Sequence, residues 1–334
     1  MNVLLTSVGR RAYMVKYFKD VLGEFGEVHV GNSDNRTVAF HYADKSVITP
    51  LIYNEEYIPF LLEYCKKNKI GVIISLFDMD LPILAKNKEK FEQIGTKVIV
   101  SDINIIDICN DKWKTYNFLK DNGFKTPKTY LTLQSVLLAL DKGEISYPVI
   151  IKPRFGCGSI ALSVAEDESA LLYYFRRNVR SVNKSYLKYE SAKEEEKIIY
   201  QQYLEGCEYG VDIINDLKGK NRAVNIRRKV AMRAGETDIA ELVDNDSIRQ
   251  EATRLGKLTG HIANMDCDFF VVDGAPYIIE MNARFGGGYP FSHMGGCNLP
   301  KAIIEWCNGV EVASETLVSK IGITGYKELY ITLV

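Results

Sequence analysis

The stretch MDCDFFVVDGAPYIIEMNARFGGGYP, residues 265–290, decides how the rest of the chain is read. Two apolar runs flank Asp273-Gly274, so the segment reads as a β-hairpin. Side chains alternate between faces along a strand. Ile279, Met281, Ala283 and Phe285 therefore share one face, and Glu280, Asn282 and Arg284 share the other. A merely solvated face would be served as well by Lys, Thr or Ser. It would also leave Gly286–Gly288 unexplained, because three glycines remove every side chain where something must approach the backbone closely. A three-residue loop, Asp273–Ala275, sets Val272 opposite Pro276 and Asp268 opposite Glu280; an even loop would turn Asp268 to the other face. Two carboxylates directly opposite each other repel unless a cation lies between them. The oxygen ligands Asp268, Glu280 and Asn282 suit a hard cation such as Mg²⁺, which keeps waters and substrate phosphates in its shell.

Upstream, Lys152 ends the apolar run VIIK, and the Gly-rich turn RFGCGS (154–159) follows Pro153. Such a turn can present backbone N–H groups to phosphate oxygens, although read alone it is more readily an ordinary hairpin loop. It is not a P-loop, since GxxxxGK[ST] is absent, and no GxGxxG follows the first strand. Lys112 falls in the first turn of a helix that stops at Asn122-Gly123. A cation is unfavourable at that end of the helix dipole, which hints at an anion nearby. Gln201 and Gln202 end one apolar strand and Glu208 opens the next; these groups fit a base and ribose, or a plain polar strand end.

The first hundred residues alternate strands (2–8, EVHVGNS, 71–77, 96–101) with helical stretches (10–22, 55–68 and one running to 93). That order implies a parallel sheet covered by helices, with ligands beyond the strand C-termini. Arg10, Arg11 and Asp78 fall there, where they could face a carboxylate and an amine. Helices are expected at 167–178, 246–259 and 299–309, and Asn298 reads as the N-cap of the last. The charge-dense stretch 180–197 reads as a mobile or solvated loop. RRKVAMRAGETD (227–238) reads as a strand and loop in which Arg233 and Glu236 are candidates for a phosphate and an incoming substrate.

A net charge of −1 over 334 residues gives no global attraction to nucleic acid or to a membrane surface. No apolar run approaches the ~20 residues of a membrane helix. Basic residues follow rather than precede the first apolar run, the wrong order for a secretory signal. The seven cysteines are scattered without a CxxC pair, which fits reduced thiols in the cytoplasm.

Taken together, NDKWKTYNFL (110–119), YPVIIKPRFGCGS (147–159), IYQQYLEGCEYGVD (199–212) and the hairpin resemble the ATP-grasp superfamily. The resemblance covers residues 1 to about 310 and is nearest to single modules similar to half of a carbamoyl-phosphate synthase large subunit. It implies an α/β chain with three parts: a parallel βαβ pre-ATP-grasp domain (1–103), a small mobile lid subdomain (104–203) and a mixed-sheet core (204–334). It implies that Lys112 and Lys152 contact ATP phosphates and that Phe155, Gly156, Gly158 and Ser159 belong to a loop closing over the γ-phosphate. Gln201 and the backbone of Tyr203 and Leu204 would meet adenine, and Glu208 the ribose. Asp268, Glu280 and Asn282 would hold two Mg²⁺ ions, for which Mn²⁺ could substitute, and Arg284 would stabilise the transferring phosphoryl group. Arg233, Arg10, Asp78, Glu236 and Gly287 remain candidates on the substrate side. Many relatives carry Glu where Gln201 stands, Ala283 replaces a frequent Pro, and Cys157 exposes the loop to oxidation.

The resemblance implies an ATP-dependent ligase that activates a carboxylate as an acyl phosphate and joins it to an amine. It takes small-molecule substrates, without nucleic acid or membrane, and is compatible with a homodimer. Two other readings stay open: carbamoyl-phosphate or carboxyphosphate chemistry, which would need further segments or partners, and a non-catalytic nucleotide-binding module. The last does not need Lys112, Lys152, Asp268, Glu280, Asn282 and Arg284 together.

Overall fold

The computed structural model describes residues 1–156, 161–190, 193–329 and 331–333. The chain is mixed α/β and builds three sheets. The first comes from β1 (Asn2–Thr6), β2 (Val28–Asn32), β3 (Lys45–Ile48), β4 (Ile70–Ser75) and β5 (Lys97–Val98). Its order is β3-β2-β1-β4-β5, and every pairing is parallel. Helix α1 (Ala12–Leu22) buries Met14, Val15, Phe18 and Leu22 against it, because these positions recur at helical spacing. Helix α2 (Tyr57–Lys67) covers it as well. The single helix expected to run to residue 93 is two, α3 (Leu81–Lys86) and α4 (Lys88–Glu92). Asn87 separates them by donating its side-chain amide to the Ile83 carbonyl at 2.9 Å. The strand expected over 96–101 pairs only at Lys97 and Val98.

Helices α5 (Ile103–Asn110) and α6 (Lys112–Asp121) lead to the second sheet. It is formed by β6 (Thr129–Tyr130), β7 (Val149–Pro153), β8 (Ser163–Ala165) and β9 (Ile198–Gln202), in the order β6-β9-β7-β8. Helices α7 (Leu133–Asp141) and α8 (Glu168–Asn183) accompany it. The stretch 180–197 is not simply a solvated loop. Helix α8 continues to Asn183, and Tyr186–Tyr189 forms a 3-10 turn that buries Leu187 beside Gly156.

The third sheet is antiparallel, in the order β14-β13-β10-β11-β12-β15. Its strands are β10 (Cys207–Asn215), β11 (Asn221–Arg233), β12 (Glu236–Val243), β13 (Ala263–Val272), β14 (Ala275–Asn282) and β15 (Thr324–Tyr326). Helices α9 (Asp246–Thr259), α10 (Tyr289–Met294) and α11 (Leu299–Cys307) complete the fold. One contiguous apolar core runs from Leu4 and Ile73 through Ile106 and Leu119 to Met265, Ile278 and Met281. Fully burying side chains of this size contributes about 1.5–3 kcal/mol each. Among the described residues, no helix is long and apolar enough to cross a membrane.

The β13–β14 hairpin differs from expectation in an instructive way. Its loop has two residues, not three: Val272 pairs with Ala275, and Asp273 and Gly274 both take positive φ (49° and 77°). Both central residues of a type I′ turn need that conformation. An even loop alone would set Ile279 opposite Asp268. A register shift between Asp268 and Phe269 makes Ile279 an extra residue and restores Asp268 opposite Glu280. The faces shift accordingly. Ile278 and Met281 enter the core, whereas Ile279 and Glu280 line a cavity.

Candidate active site

The N-terminus of α6 and the Gly-rich turn are tied together. Asp111 caps α6, accepting from the Trp113 and Lys114 N–H groups at 3.0 and 3.4 Å. Arg154 grips the same carboxylate in a fork, at 2.8 and 2.7 Å, and reaches Glu196 at 3.1 Å. The Lys112 N–H donates to the Arg154 carbonyl at 3.0 Å. The Lys112 ammonium donates to the Gly156 carbonyl and lies 3.2 Å from Glu280 Oε1. Lys112 and Lys152 of β7 are both buried. Burial pulls the Lys152 ammonium down to about 8, with Lys112 adding to the fall and Glu280 opposing it. Burial would raise the Glu280 carboxyl, but Lys112 and Lys152 outweigh it and hold the group below its ordinary value.

These residues line a cavity of about 230 Å³ together with Phe155, Gly156, Gln201, Glu208 and Asp268. Ile150, Leu162, Phe270 and Ile279 supply its apolar walls. Gln201 is buried and donates to Thr129 Oγ1 at 3.0 Å, through the β6–β9 pairing of those two residues.

A second cavity of about 160 Å³ adjoins it, and Asp268, Glu280 and Met232 line both. On its walls are Asn282, Arg284, Gly287, Glu236 and Arg11. Beneath it runs a chain of alternating charges. Arg227, 2% exposed, bonds Asp212 and reaches Asp266 Oδ1 at 2.6 Å. The other Asp266 oxygen takes Arg284 Nη1 at 3.2 Å, and Arg284 Nε lies 3.0 Å from Asp78. Lys229 sits 2.6 Å from both Glu208 and Asp268. Burial would lower the Lys229 ammonium, but Asp268 and Glu208 raise it above its ordinary value. Burial raises the Asp268 carboxyl; Lys229 opposes the rise, while Asp266, Glu208 and Glu280 add to it.

The glycine run serves this charge chain. A Cβ on Gly286 would lie 2.1 Å from the Asp266 carboxyl carbon, and one on Gly288 2.2 Å from Arg227 Nε. Only the central Gly287 has nothing within 4 Å and lines the cavity. What approaches the backbone at 286 and 288 is therefore protein, not ligand. Gly286→Ala is expected to cost about 1–3 kcal/mol through overpacking, and Gly287→Ala almost nothing. Urea unfolding of the two variants checks this, and equal stabilities would contradict it.

Several candidates are placed away from the cavities. Arg233 is half-exposed and paired with Asp238 at 2.6 Å. Arg10 is 92% exposed, 3.6 Å from Glu236. Its neighbour Arg11 is the residue on the cavity wall. Tyr203 lines a separate surface hollow, and Leu204 lines neither cavity. Asp78 is buried under Arg284 rather than set on the wall. Gly158 and Ser159, with Cys157, lie outside the described residues. Asn298 caps α11, accepting from the Lys301 N–H at 3.1 Å, as the sequence suggests.

Arg227 and Lys229 were not singled out in the sequence, although a signal existed. Gly210 interrupts the β10 pattern, and a strand glycine marks a close approach. Arg227 and Asp268 both pair with Gly210, whose missing Cβ would lie 2.7 Å from Arg227 Nε.

The shared wall fits a hard cation. Asp268 and Glu280 are direct cross-strand partners, and the Asn282 amide oxygen accepts no hydrogen bond among the described residues. Those residues contain no group of three His, Cys, Asp or Glu side chains able to hold a metal alone. Two carboxylates and an amide suit Mg²⁺ when phosphates complete the shell.

A family model described as an ATP-grasp domain matches residues 109–288, and a PylC-like N-terminal domain model matches residues 3–99. The carbamoyl phosphate synthase large chain of Pseudothermotoga lettingae is 26% identical over 280 residues, 79% of this chain and 23% of that one. The chain thus spans about a quarter of the length of the curated relatives it matches. Biotin carboxylase from Campylobacter jejuni, solved with a β,γ-ATP ligand, superposes with a TM-score of 0.75 at 17% identity, over 95% of this chain and 73% of that one. L-amino acid ligase from Bacillus licheniformis gives a TM-score of 0.73 at 19% identity, over 99% and 81%. At these identities the structural likeness is one of fold.

Proposed function

The chain belongs to the ATP-grasp family, and we propose that it is an ATP-dependent ligase that activates a carboxylate as an acyl phosphate and joins it to an amine. Residues 1–103, 104–203 and 204–334 are its N-terminal domain, lid and core. The observation that carries the reading is the wall shared by the two cavities, Asp268 and Glu280. A nucleotide in the first cavity places its terminal phosphate at that wall. A substrate in the second meets it from the other side.

ATP enters with its base against Ile150, Leu162, Phe270 and Ile279, its ribose toward Glu208 and its phosphates toward Lys112 and Lys152. Asp268, Glu280 and Asn282 would hold Mg²⁺ or Mn²⁺, two ions by the family pattern, supplying positive charge against the triphosphate. The substrate carboxylate attacks the γ-phosphorus and ADP leaves. Both partners are anionic, so Lys112, Lys152 and Arg284 must cancel their repulsion. Phe155 and Leu187 keep water from the acyl phosphate. The amine then attacks the acyl carbon, and phosphate departs with one carboxylate oxygen. No side-chain nucleophile is needed.

ADP release across a panel of carboxylates and amines tests the proposal. Turnover that requires one of each is expected. Turnover with bicarbonate alone would move the chain to carboxyphosphate chemistry, and nucleotide binding without turnover would leave a binding module.

Lys152 gives a pH prediction. Its ammonium is depressed to about 8 in the ligand-free protein, so it is charged below pH 8 and neutral above. The phosphates of a bound nucleotide favour the charged form. ADP affinity should be flat below pH 8 and fall by up to about tenfold per unit above it. The unliganded fold responds oppositely. The unfolded chain keeps the proton to higher pH, so this group's contribution to stability rises from pH 8 toward its unfolded value. Calorimetric ADP titrations from pH 7 to 9.5 check the first effect, and a flat profile would contradict it.

A further inference from the structure

We propose that Arg11 binds an anionic group that one substrate carries besides its reacting atoms, so that this substrate is a small carboxylate- or phosphate-bearing molecule. The inference rests on the ligase reading and adds a substrate class to it.

The second cavity carries four cationic side chains, Arg11, Arg227, Lys229 and Arg284. Three have carboxylate partners. Arg227 is held by Asp212 and Asp266, Lys229 by Glu208 and Asp268, and Arg284 by Asp78 and Asp266. Arg11 differs. Its Nη1 donates to the Leu76 carbonyl and, at 3.4 Å, to the Phe285 carbonyl. Among the described residues no carboxylate lies within ion-pairing distance of it. A guanidinium carries five N–H donors, and two carbonyls employ only one of its nitrogens. Arg11 is therefore the one cation of this lining without an ion-pair partner among the described residues, on a cavity of about 160 Å³ whose carboxylates, Glu236, Asp266, Asp268 and Glu280, are each paired with other cations.

The charge is also fixed in place. Leu76 follows β4, and Phe285 follows β14, so the guanidinium is gripped from two sheets at once. An arginine held in this way loses little freedom when an anion binds. Arg11 is also the N-cap of α1, whose first turn contains no acidic residue, so the helix end adds potential of the same sign. Phe285, whose carbonyl Arg11 holds, is the residue after Arg284. The anion would thus be seated next to the guanidinium proposed to meet the transferring phosphoryl group. Glu236, on the same lining, is paired with Arg10 and Lys327 rather than with Arg11. If Arg11 served only to tie the two sheets together, substituting it would change stability without changing which ligands bind.

The test titrates the protein, saturated with Mg²⁺ and the non-hydrolysable nucleotide AMP-PNP, by calorimetry. The probes are β-alanine, glutarate and glycerol phosphate, each against its uncharged-end counterpart β-alaninamide, glutaramide or glycerol. The carboxylate and phosphate arms separate the two sources of anion. In the wild type at least one anionic probe should bind ten or more times tighter than its counterpart. Arg11→Met should bring that pair within threefold, Arg11→Lys should keep part of the difference, and AMP-PNP affinity should be unchanged in both. No anion preference in the wild type, or a preference that survives Arg11→Met, would overturn the proposal. Because turnover is not the readout, failed ADP release would remove the ligase reading without touching this result.

Discussion

Glu280→Gln should give a folded protein whose ADP release falls by about 10³-fold or more, the scale of losing an electrostatic group at a reacting centre. The substitution is isosteric, so packing against Ile279 and across to Asp268 is retained. What is lost is the negative charge that faces both Lys112 and Lys152 and lies on the wall of both cavities. Without it the two ammonium groups repel each other across an uncharged amide, and Asp268 is the one carboxylate left at the shared wall. Nucleotide affinity should become nearly independent of Mg²⁺. A second readout follows from linkage. Glu280 has a depressed pKa, so its charge contributes stability above the ordinary carboxylate range, lost as pH falls through the folded value. The variant should lack that portion of the acid limb in unfolding experiments. Near-normal turnover in Glu280→Gln would remove this residue from the chemistry.

Arg284→Lys should slow turnover by about 10²–10³-fold while leaving ADP affinity within threefold. Arg284 reaches Asp266 through Nη1 and Asp78 through Nε and Nη2. Asp266 lies on β13 and Asp78 in the 3-10 turn that follows β4 of the first sheet. A planar fork can meet both and still present an edge to the cavity; a single ammonium cannot. Because Asp78 holds the guanidinium rather than lining the cavity, Asp78→Asn should reproduce part of the loss in kcat with little change in KM for ATP. Steady-state kinetics on both variants check this. A loss confined to nucleotide affinity would place Arg284 in the wrong cavity.

Much of this arrangement was legible in the sequence because periodicity and turn chemistry are local. The helical spacing of Val15, Phe18 and Leu22 placed α1, and Asn122-Gly123 ended α6. What was not legible is instructive. Strand β3, KSVI, is exposed at three of four positions and is held by backbone pairing to β2, so it carries no apolar pattern. The hairpin contains two departures that cancel, a two-residue loop and an extra residue at Ile279. Strand alternation read from the sequence therefore gives the right partner for Glu280 through the wrong register. Arg10 and Arg11 are indistinguishable by composition, and only the start of α1 decides which faces the cavity. Arg227 looked like one more polar residue in a charged strand because its partners, Asp212 and Asp266, lie on two other strands.

The most direct test follows a single oxygen atom. With a carboxylate substrate identified by ADP release and labelled with ¹⁸O in both carboxyl oxygens, mass spectrometry of the released phosphate should find one ¹⁸O per turnover. That oxygen can reach phosphate only if the carboxylate attacked the γ-phosphorus across the Asp268–Glu280 wall. Unlabelled phosphate, with ADP formed at the same rate, would mean that water was the attacking group and that the two cavities do not work as one site.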